Sequence, residues 1–476
     1  MDKMIDKKIC FGIIVGTRGF FNPEHANKGR KELLSVLDEL NFDYIIPKEN
    51  ETPNGAIETL KDAKICADLF NKNSKKIDGI IVILPNFGDE LGVVNTLKLS
   101  GLKVPVLVQA CNDDINKVDI YGRRDAFCGK ISVCNNLYQY KIPFTDTSLH
   151  TCYINSDVFK KDLNDFSSIC RIVRGVGKMR IGAIGTRPAA FQTVRFSEKI
   201  LQANGITVVP VDLSEILGET GKLDSNSNDV VKKLERIKSY GNIPDYIKED
   251  NIVKQAKLSV VIDNWMAENE LDASAVQCWE SIEHNYGCAT CLSMSLMGED
   301  RMPSACEVDI TGAISMYILL LASKNIPGFL DWNNNYKEEM DKCVNTHCCN
   351  FPKSFMGNDI EISNLDILGA TLGKEKCFGA IKGHVSSGPM TFFRISTDDT
   401  LGKIRGYLGE GEFTDDPFGM DGGIAVCKVN DLRSILAHIC QNGFEHHIAM
   451  TRSHCAGVIK EAVTKYLNWD LKDFTK

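Results

Sequence analysis

FGIIVGTRGFF (Phe11–Phe21) and IGAIGTRPAAF (Ile181–Phe191) decide the fold. Each is an apolar run, then Gly-Thr-Arg, then a loop or helix. A short continuous apolar run bounded by a turn reads as a strand buried on both faces. Glycine permits the tight turn, and an arginine at the strand tip is placed to meet an anion or a polyol. The segments around the first copy keep one rhythm. ICFGIIVG is a strand, GRKELLSVLDELN a helix, YIIP a strand and TLKDAKICADLFNKNSK a helix, followed by the buried strands GIIVILP and VPVLVQA. The second copy runs on into the strand of GITVVPVDLSEI. Strands alternating with helices predict doubly wound parallel sheets, with ligand loops beyond the carboxyl ends of the strands.

From about residue 350 the texture becomes β-rich and glycine-rich, in CFGAIKGHVSSGPMTFFRISTDD, KIRGYLGEGEF and GGIAVCKV. Helices return in DLRSILAHICQNG and AGVIKEAVTKYLN. The expected organisation is an N-terminal α/β domain over 1–165, a second α/β domain over 166–348, and a β-rich domain with a closing helix over 349–476.

Bulk properties narrow the function. The formal net charge of −8 over 476 residues argues against a nucleic-acid binder, which carries a basic surface. No run of about 18 apolar residues predicts a membrane span. The N-terminus MDKMIDKKICFGIIVG reads as a first strand rather than a leader. Eighteen cysteines without a secretion signal predict reduced thiols in a cytoplasmic protein. The dinucleotide GxGxxG, the Walker lysine loop and GxSxG are all absent, which weakens hydride-transfer, ATPase and serine-hydrolase readings. Cys288 and Cys291 form a C-x-x-C in YGCATCLSMS, read as buried thiols with a redox dithiol as the minority view; Cys348 and Cys349 are adjacent.

ACEVD (Ala305–Asp309) sets two carboxylates before a long apolar helix ended by KNIPG. FLDW then reads as a short strand with Asp331 at its tip, 331 − 307 = 24 residues after Glu307. A helix followed by a returning strand brings both ends to one edge, so Glu307 and Asp331 are expected to face one pocket at the carboxyl end of the sheet. Two carboxylates with a histidine make a hard site suited to Mn²⁺ or Mg²⁺ more than to zinc. Asp309 reads as a helix-start residue. His446 and His447 are adjacent in a probable strand, where neighbouring side chains point to opposite faces, so one of the two is expected in a site.

The segments GTRGFFNPE, RRDAFCGKISVCNN, GTRPAAFQ, VQCWESIEHNYGCATC, PSACEVDITGA, LDWNN, HCCNFP and GFEHHIAM together resemble the L-fucose isomerase / L-arabinose isomerase family across nearly the whole chain. That resemblance implies two Rossmann-like doubly wound α/β domains, a β-rich C-terminal domain, and an oligomeric (trimeric or hexameric) aldose–ketose isomerase. The implied cofactor is Mn²⁺, with Mg²⁺ or Co²⁺ as substitutes. By position it implies Glu307, Asp331 and His447 as metal ligands, with His347 as a further ligand matching the arabinose isomerases. Glu307 and Asp331 would share acid/base roles through a cis-enediol(ate), with a hydride shift as the competing mechanism. Arg18, Gln277, Trp279 and His446 are the substrate-contact candidates. L-fucose, D-arabinose and L-arabinose are the neutral substrates implied. A sulfonated sugar, sulfoquinovose converted to sulfofructose, is the charged alternative, and a non-catalytic sugar-binding or regulatory protein is the rival class.

Overall fold

The computed structural model describes residues 4–348 and 350–475; Cys349 of the adjacent cysteine pair lies outside them. The chain divides into two compact units, Met1–Gly175 with Glu461–Asn468, and Val176–Lys460 with Trp469–Lys476.

The first unit holds an all-parallel sheet in the order Asp43–Ile45, Cys10–Val15, Gly79–Leu84, Val106–Ala110, Thr145–Asp146. Its three central strands are buried at every position, as their unbroken apolar runs require. The helices Glu24–Glu39, Leu60–Lys72, Glu90–Ser100 and Ala126–Gln139 alternate with these strands. Leu60–Lys72 starts with a capping box: Thr59 Oγ1 accepts from the Asp62 amide at 3.2 Å, and Asp62 Oδ2 accepts from the Thr59 amide at 2.9 Å.

The second unit carries two sheets. One is parallel, ordered Thr207–Val211, Arg180–Ile184, Ala273–Val276, Ser304–Ala305. The other is mostly antiparallel and has ten strands among the described residues, with Gly328–Asp331, His447–Thr451, Gly388–Asp398, Lys403–Thr414 and Gly423–Lys428 running side by side. The helix Ile310–Ser323 packs against Ala273–Val276 and Ser304–Ala305 of the first sheet and against Gly388–Asp398 and His447–Thr451 of the second. Every residue from Ile310 to Ala322 is buried, and a helix apolar on all sides needs cover on all sides.

The FLDW strand departs from expectation. It does not return to the parallel sheet but pairs antiparallel with His447–Thr451, with Gly328 opposite Met450 and Asp331 opposite His447. The helix ends at Lys324 in the left-handed conformation (φ 62°), which turns the chain out of the parallel layer. Glu307 and Asp331 therefore come from different sheets.

Asp309 caps this helix, accepting from the Gly312 amide at 2.8 Å. It also accepts a bidentate pair from Arg394, at 2.7 Å from Nη1 and 3.0 Å from Nη2. Arg394 sits mid-strand and donates further to Thr311 Oγ1 at 2.9 Å and to Glu445 Oε2 at 3.3 Å. Asp309 and Arg394 are both wholly buried. Glycine at 312 makes the approach possible, since a Cβ there would lie 2.8 Å from Arg394 Nη1. No disulfide joins any described cysteine, and among the described residues no helix is long and apolar enough to cross a membrane.

Removing one partner of a buried, hydrogen-bonded ion pair strands the other. Arg394→Met is expected to cost about 3–5 kcal/mol, read as a lowered midpoint in chemical denaturation. An unchanged midpoint would contradict the role given to this pair.

Candidate active site

Two neighbouring strands of the parallel sheet end in sharp turns. After Val276 the chain reaches Trp279 and Glu280, with φ of 66° and 68°; after Ala305 it reaches Glu307 and Val308, with φ of 52° and 57°. Left-handed backbone at non-glycine residues is strained, at about 1–3 kcal/mol each, and least tolerated at a β-branched valine. Ala275 pairs with Ala305, so both turns leave the same carboxyl edge. They meet there: Trp279 Nε1 donates to Glu307 Oε1 at 2.9 Å, and the Cys278 thiol donates to the same oxygen at 3.6 Å.

The antiparallel sheet supplies the rest. Asp331 and His447 face each other across strands, and His347 ends the strand Glu339–His347. His447 Nε2 lies 2.9 Å from Glu307 Oε2 and 3.6 Å from Asp331 Oδ1, while His347 Nε2 lies 3.7 Å from Glu307 Oε2. His447 Nδ1 donates to Asp309 Oδ2 at 2.8 Å, which turns Nε2 toward the carboxylates. A carboxylate behind a histidine is the usual means of orienting a metal-ligating ring.

The donor set fits a divalent cation. Glu307 Oε2 and Asp331 Oδ1 are buried without hydrogen-bond partners. His447 Nε2 approaches Glu307 Oε2 to 2.9 Å as an ion pair, so a nitrogen and an oxygen donor stand side by side at the cavity. Ligand atoms of Asp331, His347 and His447 lie within 4.8 Å of one another. Carboxylate oxygens and imidazole nitrogens of this kind suit Mn²⁺, Mg²⁺ or Co²⁺.

Electrostatics follow from burial and pairing. Burial pushes the Glu307 carboxyl up, but His347 and His447 outweigh it and hold it well below the usual carboxylate range. For Asp309, Arg394 and then His447 likewise overcome burial and pull the carboxyl down. Burial raises Asp331, only partly offset by the two histidines. The His447 imidazole is raised to about 9, because bonding to Asp309 and the charge of Glu307 exceed the cost of burial.

A cavity of about 300 Å³ opens over these groups, walled by Phe191, Trp279 and Thr346 beside the four candidate ligands. Of the substrate candidates, Trp279 and His446 line it. Both adjacent histidines reach the cavity, contrary to the alternation expected, because the strand begins only at His447. His446 Nε2 lies 3.8 Å from Asp331 Oδ1. Gln277 is not among the lining residues; its Oε1 accepts from the Thr186 amide at 2.9 Å. Arg18 belongs to the first unit, where it donates to Gly88 O at 3.1 Å, pairs with Glu90 and lies 4.5 Å over the Phe87 ring.

Sequence reasoning missed two features. Glu283 lines the cavity fully buried, with neither carboxylate oxygen bonded, and burial raises it to about 7. Nothing in the mostly polar stretch ESIEHNY marks it. The second is the orienting role of Asp309, whose sequence context shows only a helix cap.

Residues 12–177 match the model of the fucose/sulfoquinovose isomerase N-terminal domain, and residues 345–475 match the L-fucose isomerase C-terminal domain. Proteins named sulfoquinovose isomerase from Priestia aryabhattai and Priestia megaterium are each 26% identical over 384 residues, covering 79% of this chain and 81% of theirs. One of the same name from Alkalicoccus urumqiensis is 25% identical over 298 residues, covering 61% of this chain and 63% of its own. With matches at both ends of the chain, the protein belongs to the fucose/sulfoquinovose isomerase family and is a sugar isomerase of the aldose–ketose class.

Proposed function

We propose that the protein is a Mn²⁺-dependent aldose–ketose isomerase acting on a neutral sugar of the L-fucose, D-arabinose or L-arabinose kind. The observation that carries this reading is the convergence of Glu307, Asp331, His347 and His447 on one cavity, with one buried oxygen of each carboxylate accepting no hydrogen bond. Bound among these four residues, a divalent ion would polarise the sugar carbonyl and offset negative charge growing on its oxygens.

The chain's own groups account for the remaining steps. Isomerisation removes a proton from C2 and returns one to C1, through an enediolate. Glu307 and Asp331 share the proton transfers, each being a carboxylate held over the cavity. Asp309 fixes His447, and Trp279 fixes Glu307, so neither has to reorganise as charge moves. Phe191 and Trp279 form apolar walls that exclude water, and Glu283 presents acceptors to a sugar hydroxyl. A neutral substrate is favoured by the lining, which includes Glu283 and, among the described residues, no lysine or arginine; Asp366 and Asp421 of the same lining are paired with Lys382.

A sulfonated sugar, sulfoquinovose converted to sulfofructose, is the second reading. The names of the relatives favour it. It requires a cation for the sulfonate from outside the lining residues of this cavity.

Glu307→Gln and Asp331→Asn are each expected to lower kcat by at least about 100-fold while the fold is retained. In deuterated water the ketose should gain label at C1; complete absence of label would replace the enediolate with a hydride shift. A panel of L-fucose, D-arabinose, L-arabinose and sulfoquinovose, assayed with and without Mn²⁺, decides the substrate. Turnover of the sulfonated sugar alone would overturn the neutral reading. Metal binding should also depend on pH. His447 at about 9, and His347 raised as well, carry protons near neutrality that coordination must displace. Mn²⁺ affinity should therefore strengthen as pH rises, with proton release measurable by calorimetry in buffers of different ionisation enthalpy. Binding heat independent of the buffer would contradict this.

A further inference from the structure

Beside the oxygen and nitrogen donors stand thiols that the isomerase reading does not use: Cys348 lines the cavity, and Cys306 is wholly buried next to Glu307. Cys306 precedes Glu307 and Cys348 follows His347 in the chain. One ligand atom from each of Cys306, Glu307, His347 and Cys348 lies within 4.8 Å of the others. We propose that these four residues form a second cation site, which takes a thiophilic ion of the Zn²⁺ or Cd²⁺ kind. Its consequence for catalysis rests on the isomerase reading: because Glu307 and His347 belong to both sets, a soft ion held here displaces the hard one and stops turnover.

Three observations support a built site. The donors are two sulfurs, one nitrogen and one oxygen, a complement that suits tetrahedral zinc. In such a site, bonds of about 2.0–2.3 Å set ligand atoms about 3.3–3.8 Å apart, so only modest contraction is needed. Cys348 Sγ already lies 3.5 Å from His347 Nδ1. Second, Glu307 Oε2 is buried and accepts no hydrogen bond, in a residue only 2% exposed. Third, more thiols stand directly behind the set. Cys278 Sγ is 3.0 Å from Cys306 Sγ, and the Cys291 thiol donates to the Cys348 carbonyl at 3.0 Å. Cys348 lines the cavity, so one sulfur of the set is open to an ion that enters it. On binding, Cys306 and Cys348 coordinate as thiolates, any thiol proton passing to solvent, and with the Glu307 carboxylate the donors carry three negative charges against the ion's two. Ligand softness then separates the two sets. Thiolates select zinc and cadmium, whereas the carboxylate and imidazole set of Asp331, His347 and His447 favours harder ions.

The test uses full-length protein, reduced and stripped of metal, titrated with Cd²⁺ and followed by the ultraviolet thiolate-to-cadmium charge-transfer band. The expected result is a band that saturates at one equivalent. It should be lost in Cys306→Ser and in Cys348→Ser, and retained when the exposed Cys128 and Cys440 are both replaced by serine. Asp331→Asn should keep the band, so the outcome does not depend on whether the protein isomerises a sugar. In Mn²⁺-activated turnover, Zn²⁺ should inhibit, and Cys348→Ser should weaken that inhibition by about tenfold or more, as expected for loss of a ligand. Absence of the band would overturn the site. So would a band that survives both Cys306→Ser and Cys348→Ser, or one removed by changing Cys128 and Cys440.

Discussion

The bidentate pair between Asp309 and Arg394 is the constraint on which the rest of the second unit depends. Neither charge touches solvent, and the fold is bound to keep both satisfied at once. Asp309 meets that demand with four partners: the helix amide of Gly312, the Thr311 hydroxyl, the guanidinium and the His447 ring. Arg394 spends its remaining donor capacity on Thr311 and Glu445, and Glu445 is held in turn by Ser396 at 2.8 Å. One network thus fixes where the central helix begins, how two strands of the antiparallel sheet lie on it, and which way the His447 imidazole faces. A buried charge pair of this sort is weak evidence for net stability, since apolar residues could fill the same volume. Its value lies in geometry.

That geometry puts the site on a seam. Glu307 comes from a turn at the carboxyl edge of a parallel sheet, whereas Asp331, His347 and His447 come from the ends of antiparallel strands. The helix Ile310–Ser323 spaces the two layers, and its cap Asp309 lies two residues beyond Glu307. The four cysteines at the same seam are a chemical counterpart: the donors offered to an ion depend on which groups the two layers turn inward.

Much of this was legible in the sequence. Gly-Thr-Arg after an apolar run marked the first strands of both parallel sheets, because a buried parallel strand must be apolar on both faces and its turn must be tight. Glu307 and Asp331 emerged as a pair from the spacing across one helix. What sequence could not carry was partnership between distant strands. Phe329–Asp331 reads locally as a strand of either sheet, and only its register with His447 decides. Arg394 was visible as one charge inside MTFFRIS, a strand otherwise destined for burial, yet nothing local names Asp309 as its partner. Glu283 and the cysteines were hidden for the same reason: their meaning is proximity, and their neighbours are far along the chain.

The paired left-handed residues at Glu307 and Val308 have an evolutionary consequence. At such positions glycine is the relaxed choice. In the genetic code each of these two residues is one nucleotide away from it. Drift toward a more stable fold therefore has a short downhill path that would erase the carboxylate or loosen its mount. The strained turn makes this corner of the protein one where gains in robustness and retention of chemistry pull in opposite directions, and where lineages that have lost the activity should show glycine first.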